Sequence, residues 1–224
     1  MNKINTKKEI RILLLAVASG LVFWAAVSTV LTVKVYSETT QADIAREVIR
    51  FHVLANSDSV VDQQLKLTVR DHLLDLYRDE LVLCGSVSET KTFLAAHIGE
   101  IRACAKRIIA ENGFDYPVSV TIETAFFPTK AYGDVVLPPG QYEALRVVIG
   151  DGMGGNWWCV MFPPLCYVDV TSGHMDENGK RRLQGVLAED EYRLITSPDG
   201  DASVKIKFKV VEWWQMIKNG GKSI

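Results

Sequence analysis

The densest group of chemically reactive side chains in this 224-residue chain lies between positions 50 and 71. It contains guanidinium, imidazole, carboxylate, amide and hydroxyl groups, which can recognise a polar partner or exchange protons. The members are Arg50, His52, Asn56, Ser57, Asp58, Asp62, Gln63, Lys66, Arg70 and Asp71. Two interpretations fit this pattern: a recognition surface shared by a strand and a helix, or helix caps and surface ion pairs worth about 0.3 kcal/mol each.

Established catalytic and metal-binding motifs are missing from the sequence. It has no H-E-x-x-H helix, no Walker A loop, no G-x-S-x-G elbow and no C-x-x-C pair. A zinc site built from His52, Asp58 and His72 would match no established spacing. A nucleophile pair of Cys159 with His52 is equally unsupported. We therefore predict that the protein is not an enzyme and that it holds no metal ion and no cofactor.

A glycine-rich segment, Gly150 to Gly155, formally contains the G-x-G-x-x-G pattern of dinucleotide-binding loops. Such a loop must lead into a helix, whose N-terminus receives the pyrophosphate. Here it leads into Asn156 to Val160, where aromatic and β-branched residues favour a strand. We therefore expect a hairpin loop whose glycines adopt positive φ angles, and no cofactor site.

The four cysteines leave the redox state of the protein open. Cys159 and Cys166 bracket the pair Pro163-Pro164, which forces a turn between two apolar pieces. In an exported protein these two cysteines could form a disulfide, and two free cysteines buried as small apolar side chains are an equal alternative. Packing and a second disulfide are the corresponding alternatives for Cys84 and Cys104.

The polar group lies where the sequence predicts a strand followed by a helix. Residues Glu47 to Ala55 alternate between apolar and polar side chains. This alternation indicates a strand with one buried face, and it places Arg50 and His52 on the opposite face. From Val61 to Leu81 the apolar residues follow helical spacing, and Ser59 is the expected N-cap of that helix.

A second helix and several strands are predicted further along the chain. The helix begins after the Ser86 cap and ends at Asn112-Gly113. Apolar runs separated by loops rich in glycine and proline then indicate strands. The predicted strands are Pro117–Phe127, Ala144–Ile149, Trp157–Phe162, Leu165–Val170 and Val204–Val211. The predicted fold class is α+β: an N-terminal strand, two helices and then a mainly antiparallel sheet, preceded by a hydrophobic export or anchor helix.

The last predicted strand carries three lysines on one side, Lys205, Lys207 and Lys209, and Trp213-Trp214 follow it. Lysines along one strand face most simply protect a sheet edge from aggregation. The tryptophan pair fits either a packed core or an anchor at a membrane interface.

Residues 1–36 differ in character from the rest of the chain. Basic residues, the last of them Arg11, precede 22 residues without a charge, Ile12 to Val33. This pattern is typical of a signal peptide or an N-terminal membrane anchor, and its length fits both. The distribution of basic residues then predicts that residues 37–224 form a single exported domain. Without residues 1–36 the chain has 20 basic and 26 acidic residues, so it lacks the basic stripe of a nucleic-acid-binding protein.

Two long blocks of sequence resemble the stage II sporulation protein R family. The first is RFHVLANSDS at residues 50–59, followed by Asp62-Gln63 and by the helical residues as far as Asp71. The second is NWWCV at residues 156–160, followed by FPPLC at residues 162–166. The similarity extends from about Ile49 to Trp214, and the hydrophobic N-terminal segment agrees with that family.

The resemblance implies an exported intercompartmental signalling protein of endospore-forming bacteria. Such proteins are made in the forespore and exported into the space between the forespore and mother-cell membranes. There they activate a membrane-embedded aspartic protease of the mother cell, which cleaves the sigma-E precursor. On this interpretation the polar residues at positions 50–71, together with Asn156, Trp157 and Trp158, contact the protease. An extracytoplasmic hydrolase and a membrane-anchored structural protein are the alternatives.

Overall fold

The structure is a computed structural model that describes residues 6–166 and 174–196. The chain divides into two compact units, Met1–Thr40 and Gln41–Ile224. Helix α1 runs from Thr6 to Arg46 and includes the apolar N-terminal run. Among the described residues, none of the helices combines the length and the apolar character needed to cross a membrane.

A strand, helices and further strands follow α1 as predicted, and two helices that the sequence did not predict come after the last described strand. The strands are β1 (Ile49–Leu54), β2 (Val118–Phe127), β3 (Lys130–Tyr132), β4 (Val135–Leu137), β5 (Gly140–Ile149) and β6 (Asn156–Phe162). The helices are α2 (Val60–Leu76), α3 (Arg78–Leu83), α4 (Val87–Glu111), α5 (Glu177–Val186) and α6 (Glu189–Thr196). The α+β class is therefore confirmed.

Four of the strands form one mixed sheet in the order β2, β5, β1, β6. β1 is antiparallel to β6 and β2 is antiparallel to β5, but the central strands β1 and β5 are parallel. The prediction of a mainly antiparallel sheet did not include this parallel central pair. A parallel pair requires a long crossover connection, and here three helices and the strands β2, β3 and β4 lie between β1 and β5. β3 and β4 form a separate hairpin.

Serine caps begin the two long helices that follow β1. The Ser59 side chain accepts a hydrogen bond from the backbone N–H of Asp62 at 3.2 Å. The Ser86 side chain accepts one from the backbone N–H of Glu89 at 3.1 Å. Each cap satisfies a backbone donor that lacks a partner within the helix, and both predicted N-caps are confirmed.

Helix ends are confirmed in one case and corrected in another. Helix α4 ends at Glu111 with Asn112 as its C-cap, and Gly113 follows with a φ of 83°, a conformation that favours glycine. The single helix predicted from Val61 to Leu81 is two helices, α2 and α3. The break lies at Tyr77, where φ is −117° and ψ is 16°, so the backbone leaves helical geometry for one residue.

One face of the sheet packs against α2 and α4 and forms an apolar core. The sheet contributes alternate residues of its strands, as expected from their two-residue period. The core includes Phe51, Val53, Leu145, Val147 and Met161 from the sheet, and Leu65, Val69, Leu94, Ile101 and Ala105 from the helices.

Strand β1 is buried on both faces, so the predicted strand with one solvent face is wrong. Arg50 is 0% exposed and His52 is 4% exposed. A second apolar cluster covers this face, with contributions from Val135 and Leu137 of β4, Leu183 of α5 and Ile195 of α6. Aromatic rings and a backbone carbonyl surround the Arg50 guanidinium, so the polar residues of the strand do not mark a surface exposed to water.

The glycine-rich segment joins β5 to β6 as a crossover rather than as a hairpin. The predicted positive φ angles are confirmed, at 59° for Gly150 and 64° for Gly152. The predicted hairpin is wrong, because β1 lies between β5 and β6 in the sheet. The segment therefore crosses the end of β1, which brings it against the turn after that strand.

Two sequence predictions, the strand over Val204–Val211 and the role of Trp213-Trp214, lie outside the described residues. A third, the strand over Leu165–Val170, is only partly covered. Leu165 and Cys166 are not part of a strand, and the remainder of that range lies outside the described residues.

Candidate functional site

The structure places the predicted site residues in three groups around β1. The first lies at its end and is called the turn network here: Asn56, Ser57, Asp58, Asp62, Gln63 and Lys66. The second comprises Trp157, Arg70 and Asp71. The third comprises Arg50, His52, Asn156 and Trp158, which lie on the sheet face opposite α2 and α4.

Asp62 is the hub of the turn network. Its Oδ2 accepts hydrogen bonds from the Ser57 hydroxyl at 2.6 Å and from the Asn56 amide at 2.9 Å. These two donors lower the pKa of Asp62, the Ser57 hydroxyl contributing most, because they stabilise the carboxylate form. Since the Asp62 backbone N–H also binds the Ser59 cap, one residue ties the turn to the start of α2.

Lys66 connects the turn network to the crossover segment. Its ammonium donates to the Gln63 side-chain oxygen at 2.7 Å and to the Gly155 carbonyl at 2.8 Å, and the Gln63 amide donates to the Ser57 carbonyl at 2.9 Å. Burial lowers the pKa of Lys66, and the nearby Arg70 charge adds to that effect. Lys66 and Asp62 are both buried, so neither belongs to the exposed recognition surface or the surface ion pairs expected from the sequence.

Backbone N–H groups of the crossover segment complete the network. The N–H of Asp151 donates to the Asn56 side-chain oxygen at 3.0 Å, and the N–H of Gly155 donates to Asp58 Oδ1 at 2.7 Å. The N–H of Met153 donates to the Asn56 carbonyl at 3.1 Å. A Cβ on Gly154 would overlap the Ser57 carbonyl, so the approach requires glycine there.

Trp157 lies on the helix side of the sheet. Its ring meets Phe51 edge-on, with centroids 5.7 Å apart, and the Arg70 guanidinium lies 4.8 Å from the Trp157 ring centroid. Asp71 pairs with Arg70 at 2.6 Å. Arg70 is thus shared between an aromatic ring and a carboxylate, and it fixes the ring of Trp157 against α2.

Arg50 is enclosed by aromatic residues. Its carbon Cζ lies 4.3 Å from the Phe127 ring centroid and 4.9 Å from that of Tyr142. Its Nε donates to the Cys159 carbonyl at 3.0 Å, and one terminal nitrogen donates to the Tyr132 hydroxyl at 2.8 Å. The other terminal nitrogen has no hydrogen-bond partner in the described part of the chain. Arg50 therefore connects β1 internally to four other strands, β2, β3, β5 and β6, and presents nothing to solvent.

His52 is held between Asn156 and Trp158. Its Nε2 donates to the Asn156 side-chain oxygen at 2.7 Å, and its ring stacks on Trp158. Burial lowers the pKa of His52 to about 4 and outweighs the opposing effect of the Asn156 hydrogen bond. Protonation would place a second N–H at Nδ1, which has no partner among the described groups. His52 is therefore neutral at neutral pH.

Cys159 and Cys166 are joined in a disulfide, with Cα atoms 5.7 Å apart. The sequence left this pair open between a bond and two free thiols. The bond is inconsistent with Cys159 as a thiol nucleophile partnered by His52. Cys84 and Cys104 are free and partly buried.

The considered zinc ligands make separate contacts. His52 binds Asn156, Asp58 binds the Gly155 backbone, and His72 lies against the Thr68 carbonyl. Within the described ranges, no three histidine, cysteine or acidic residues are grouped so that they could hold a metal ion.

Sequence reasoning missed the residues that surround Arg50 and those that project from the turn network. Phe127, Tyr132 and Tyr142 come from distant strands, and no local signal connects them to Arg50. Val60 and Met153 are exposed apolar residues beside the network. A signal for these two was present, because an apolar residue directly after a helix cap, or within a glycine-rich loop, lacks a regular core pattern.

Comparisons with known proteins agree on one family. The family described as Stage II sporulation protein R (spore_II_R) matches residues 45–172. The Stage II sporulation protein R of Bacillus subtilis (strain 168) is 34% identical over 188 residues, which covers 79% of this chain and 84% of that protein. No solved structure matches the chain.

Proposed function

This chain belongs to the stage II sporulation protein R family, and we propose that it is an exported intercompartmental signal. In this proposal it activates a membrane-embedded aspartic protease of the mother cell, which then cleaves the sigma-E precursor. Family membership gives the role in sporulation. Export from the forespore and activation of the protease are the proposed steps.

Export is supported by the N-terminal sequence. Basic residues ending at Arg11 precede the uncharged run from Ile12 to Val33, the arrangement that secretion machinery accepts. We propose that this segment directs residues 37–224 into the intermembrane space, either as a signal peptide or as an anchor. The acidic balance of those residues disfavours adhesion to anionic lipid by charge alone.

One observation carries the proposal: the two sequence blocks that resemble the family meet at one end of the sheet. Residues 50–59 form β1 and the turn after it, and residues 156–166 form β6 and the disulfide loop. The two strands are adjacent and antiparallel, with His52 opposite Trp158. The Gly155 N–H then links the second block to Asp58 of the first. Distant parts of the sequence thus build one compact feature.

The polar groups where the two blocks meet stabilise the structure of the protein and are not positioned for catalysis on a substrate. The Asp62 carboxylate, the Lys66 ammonium and the His52 imidazole each bind a neighbouring protein group. A general acid or base must instead reach a substrate. We therefore propose that the protein acts by binding and not by catalysis.

Binding can activate a protease only through unequal affinity for its two states. A ligand shifts an equilibrium by the difference between its affinities for the active and inactive arrangements. A difference of about 1.4 kcal/mol gives a tenfold shift, which is within reach of a few interface contacts. A rigid surface suits this role, because little ordering free energy is lost on binding.

Co-production in a bacterium that does not sporulate tests the proposed function. The full chain, the candidate protease and the sigma-E precursor are produced together, and each is omitted in turn. We expect cleavage only when all three are present. A full-length variant carrying Leu14→Arg and Leu21→Arg, which interrupts the apolar run, should fail to activate. Cleavage without this chain, or undiminished cleavage with the export variant, would contradict the proposal.

A further inference from the structure

Three large apolar side chains project into solvent beside the turn network. Val60 is 85% exposed, Val61 is 59% exposed and Met153 is 79% exposed. Val60 and Val61 begin helix α2, and Met153 lies in the crossover segment between β5 and β6. Burial of such side chains on binding is favourable, so their exposure marks a surface with binding energy to gain.

Hydrogen bonds keep these three residues in one small region. The Met153 N–H donates to the Asn56 carbonyl at 3.1 Å, and Asn56 binds Asp62, two residues after Val60. The Ser59 N–H donates to the Ser57 hydroxyl at 3.1 Å, which fixes the residue directly before Val60. The two backbones that carry the apolar side chains are therefore parts of the same hydrogen-bonded unit.

The backbone beneath the apolar side chains is ordered before any partner arrives. Gly154 and Gly150 pack so closely on Ser57 and Asn56 that a Cβ on either would collide with them. Binding therefore need not order a loop, which would otherwise reduce the affinity. The Met153 side chain alone remains adaptable, since an unbranched thioether fits irregular apolar clefts.

The charged groups around the apolar side chains are acidic on the exposed side. Asp58 and Asp151 are exposed, whereas the Lys66 ammonium is buried against the Gly155 carbonyl. Asp62 is buried and its carboxylate accepts hydrogen bonds from Ser57 and Asn56, so it does not belong to this exposed acidic rim. A complementary partner surface would therefore pair an apolar cleft with lysine or arginine side chains at its rim.

We infer that Val60, Val61 and Met153, flanked by Asp58 and Asp151, form the surface that engages the receptor, and we call this surface the apolar tip. Its partner is an extracytoplasmic apolar cleft of the receptor protease with basic side chains at the rim. This rests on the proposed function and names the surface that performs it. Arg50 and His52, expected at the interface from sequence, are buried and support the tip through β1 instead.

The chain offers a matched control on a different exposed apolar patch. Leu83, at the end of α3, is 82% exposed and projects from a short helix outside the turn network. Met153→Ser, Val61→Ser and Leu83→Ser each remove one exposed apolar side chain. Asp58→Asn keeps the oxygen that accepts from Gly155 while it removes the charge, so it tests the acidic rim without opening the network.

Two quantities are measured for each variant: its affinity for the membrane-embedded receptor protease, and the cleavage of the sigma-E precursor when variant, protease and precursor are produced together. Urea unfolding checks that each variant is folded. We expect Met153→Ser and Val61→Ser each to weaken receptor binding at least tenfold and to reduce cleavage, with unchanged unfolding midpoints. Leu83→Ser should bind as the wild type does. Asp58→Asn should weaken binding, and more strongly at low salt than at high salt. Met153→Leu should restore binding.

Each outcome has a distinct meaning. Folded Met153→Ser and Val61→Ser variants that bind and activate normally would overturn the apolar tip while the proposed function stands. Loss of binding in Leu83→Ser alone would place the surface on α3 instead. A wild-type chain that fails to bind the receptor and to trigger cleavage would overturn the proposed function itself.

Discussion

The imidazole of His52 lies flat on the indole of Trp158, with ring centroids 3.7 Å apart and an angle of 15° between the planes. These residues are directly opposite each other on β1 and β6, so the contact joins the two family-like blocks across the sheet. Phe127 packs edge-on against both rings. The stack therefore connects β1 to β6 inside the protein. Because His52 can be protonated, the stability of the fold should depend on pH.

We predict that His52 destabilises the fold as the pH falls below neutrality. Its pKa drops from 6.5, the value expected in an unfolded chain, to about 4 in the folded protein. Between these values the unfolded chain binds a proton that the folded chain excludes, so the stabilisation is complete above pH 6.5 and is lost as the pH falls to 4. The loss should be about 3 kcal/mol at most, measured by urea unfolding across that range.

A His52→Gln variant should lack this part of the pH dependence, because glutamine does not titrate. His72→Gln, on the exposed side of α2, controls for the loss of a histidine. The same pH profile in His52→Gln as in the wild type would contradict the assignment.

We predict a pH dependence of the same direction for Asp62, in a lower pH range than that of His52. Hydrogen bonds from Ser57 and Asn56 lower its pKa, so the carboxylate stabilises the fold above its unfolded pKa of about 3.8, and this contribution disappears as the pH falls through the lower folded value. The difference in unfolding midpoint between wild type and Asp62→Asn should therefore be larger at pH 7 than at pH 2.5. Asp75→Asn, an exposed carboxylate on the same helix, should show little difference at either pH.

Replacing glycine by alanine should have opposite effects on the free energy of unfolding in the crossover segment and in the interior of helix α4. Gly154→Ala should lower the free energy of unfolding by about 1–3 kcal/mol, because the added Cβ overlaps the Ser57 carbonyl. Gly99→Ala, in the interior of α4 with open space around it, should raise the free energy by about 0.5–1 kcal/mol. Urea unfolding of both variants gives the comparison. A tolerated alanine at position 154 would mean that the segment does not lie against the turn.

The disulfide between Cys159 and Cys166 should contribute measurably to stability. It closes a short loop with a sequence separation of 7, for which the chain-entropy estimate is about 2.5 kcal/mol. Protein purified without reductant should expose two thiols after unfolding, and four after reduction. Reduction should lower the unfolding midpoint of the wild type but not that of a Cys159→Ser/Cys166→Ser variant. Four thiols without reduction would show that the bond is absent.

Local signals predicted the helix caps and most of the sheet strands, but they did not predict helices α5 and α6 or the surroundings of the predicted elements. Ser59 and Ser86 act as caps through side chains that reach only three residues along the chain, so a short motif predicts them. The burial of Arg50 depends on Phe127 and Tyr142, which lie more than 70 residues away. The sequence of β1 alone does not show which distant residues cover the strand. The alternation of apolar and polar residues therefore predicted the strand correctly, but the solvent-exposed face that it predicted is wrong.

The same limit explains the crossover segment. Glycines at positions 150 and 152 predicted positive φ angles, since that preference belongs to the residue itself. The prediction of a hairpin was wrong because β1, about 100 residues earlier in the chain, lies between β5 and β6 in the sheet. The apolar tip is a consequence of this insertion, because only a crossing segment brings Met153 beside Val60.

The stoichiometry of activation tests most directly whether the chain signals by binding. Purified full-length protein is titrated against a fixed amount of membrane-embedded receptor protease with excess sigma-E precursor, and the initial rate of precursor cleavage is recorded. We predict that the rate rises until the chain is about equimolar with the receptor, then stays constant, and falls again when the chain is removed. Full activation by a small fraction of an equivalent, persisting after removal, would show catalysis by the chain and contradict this account.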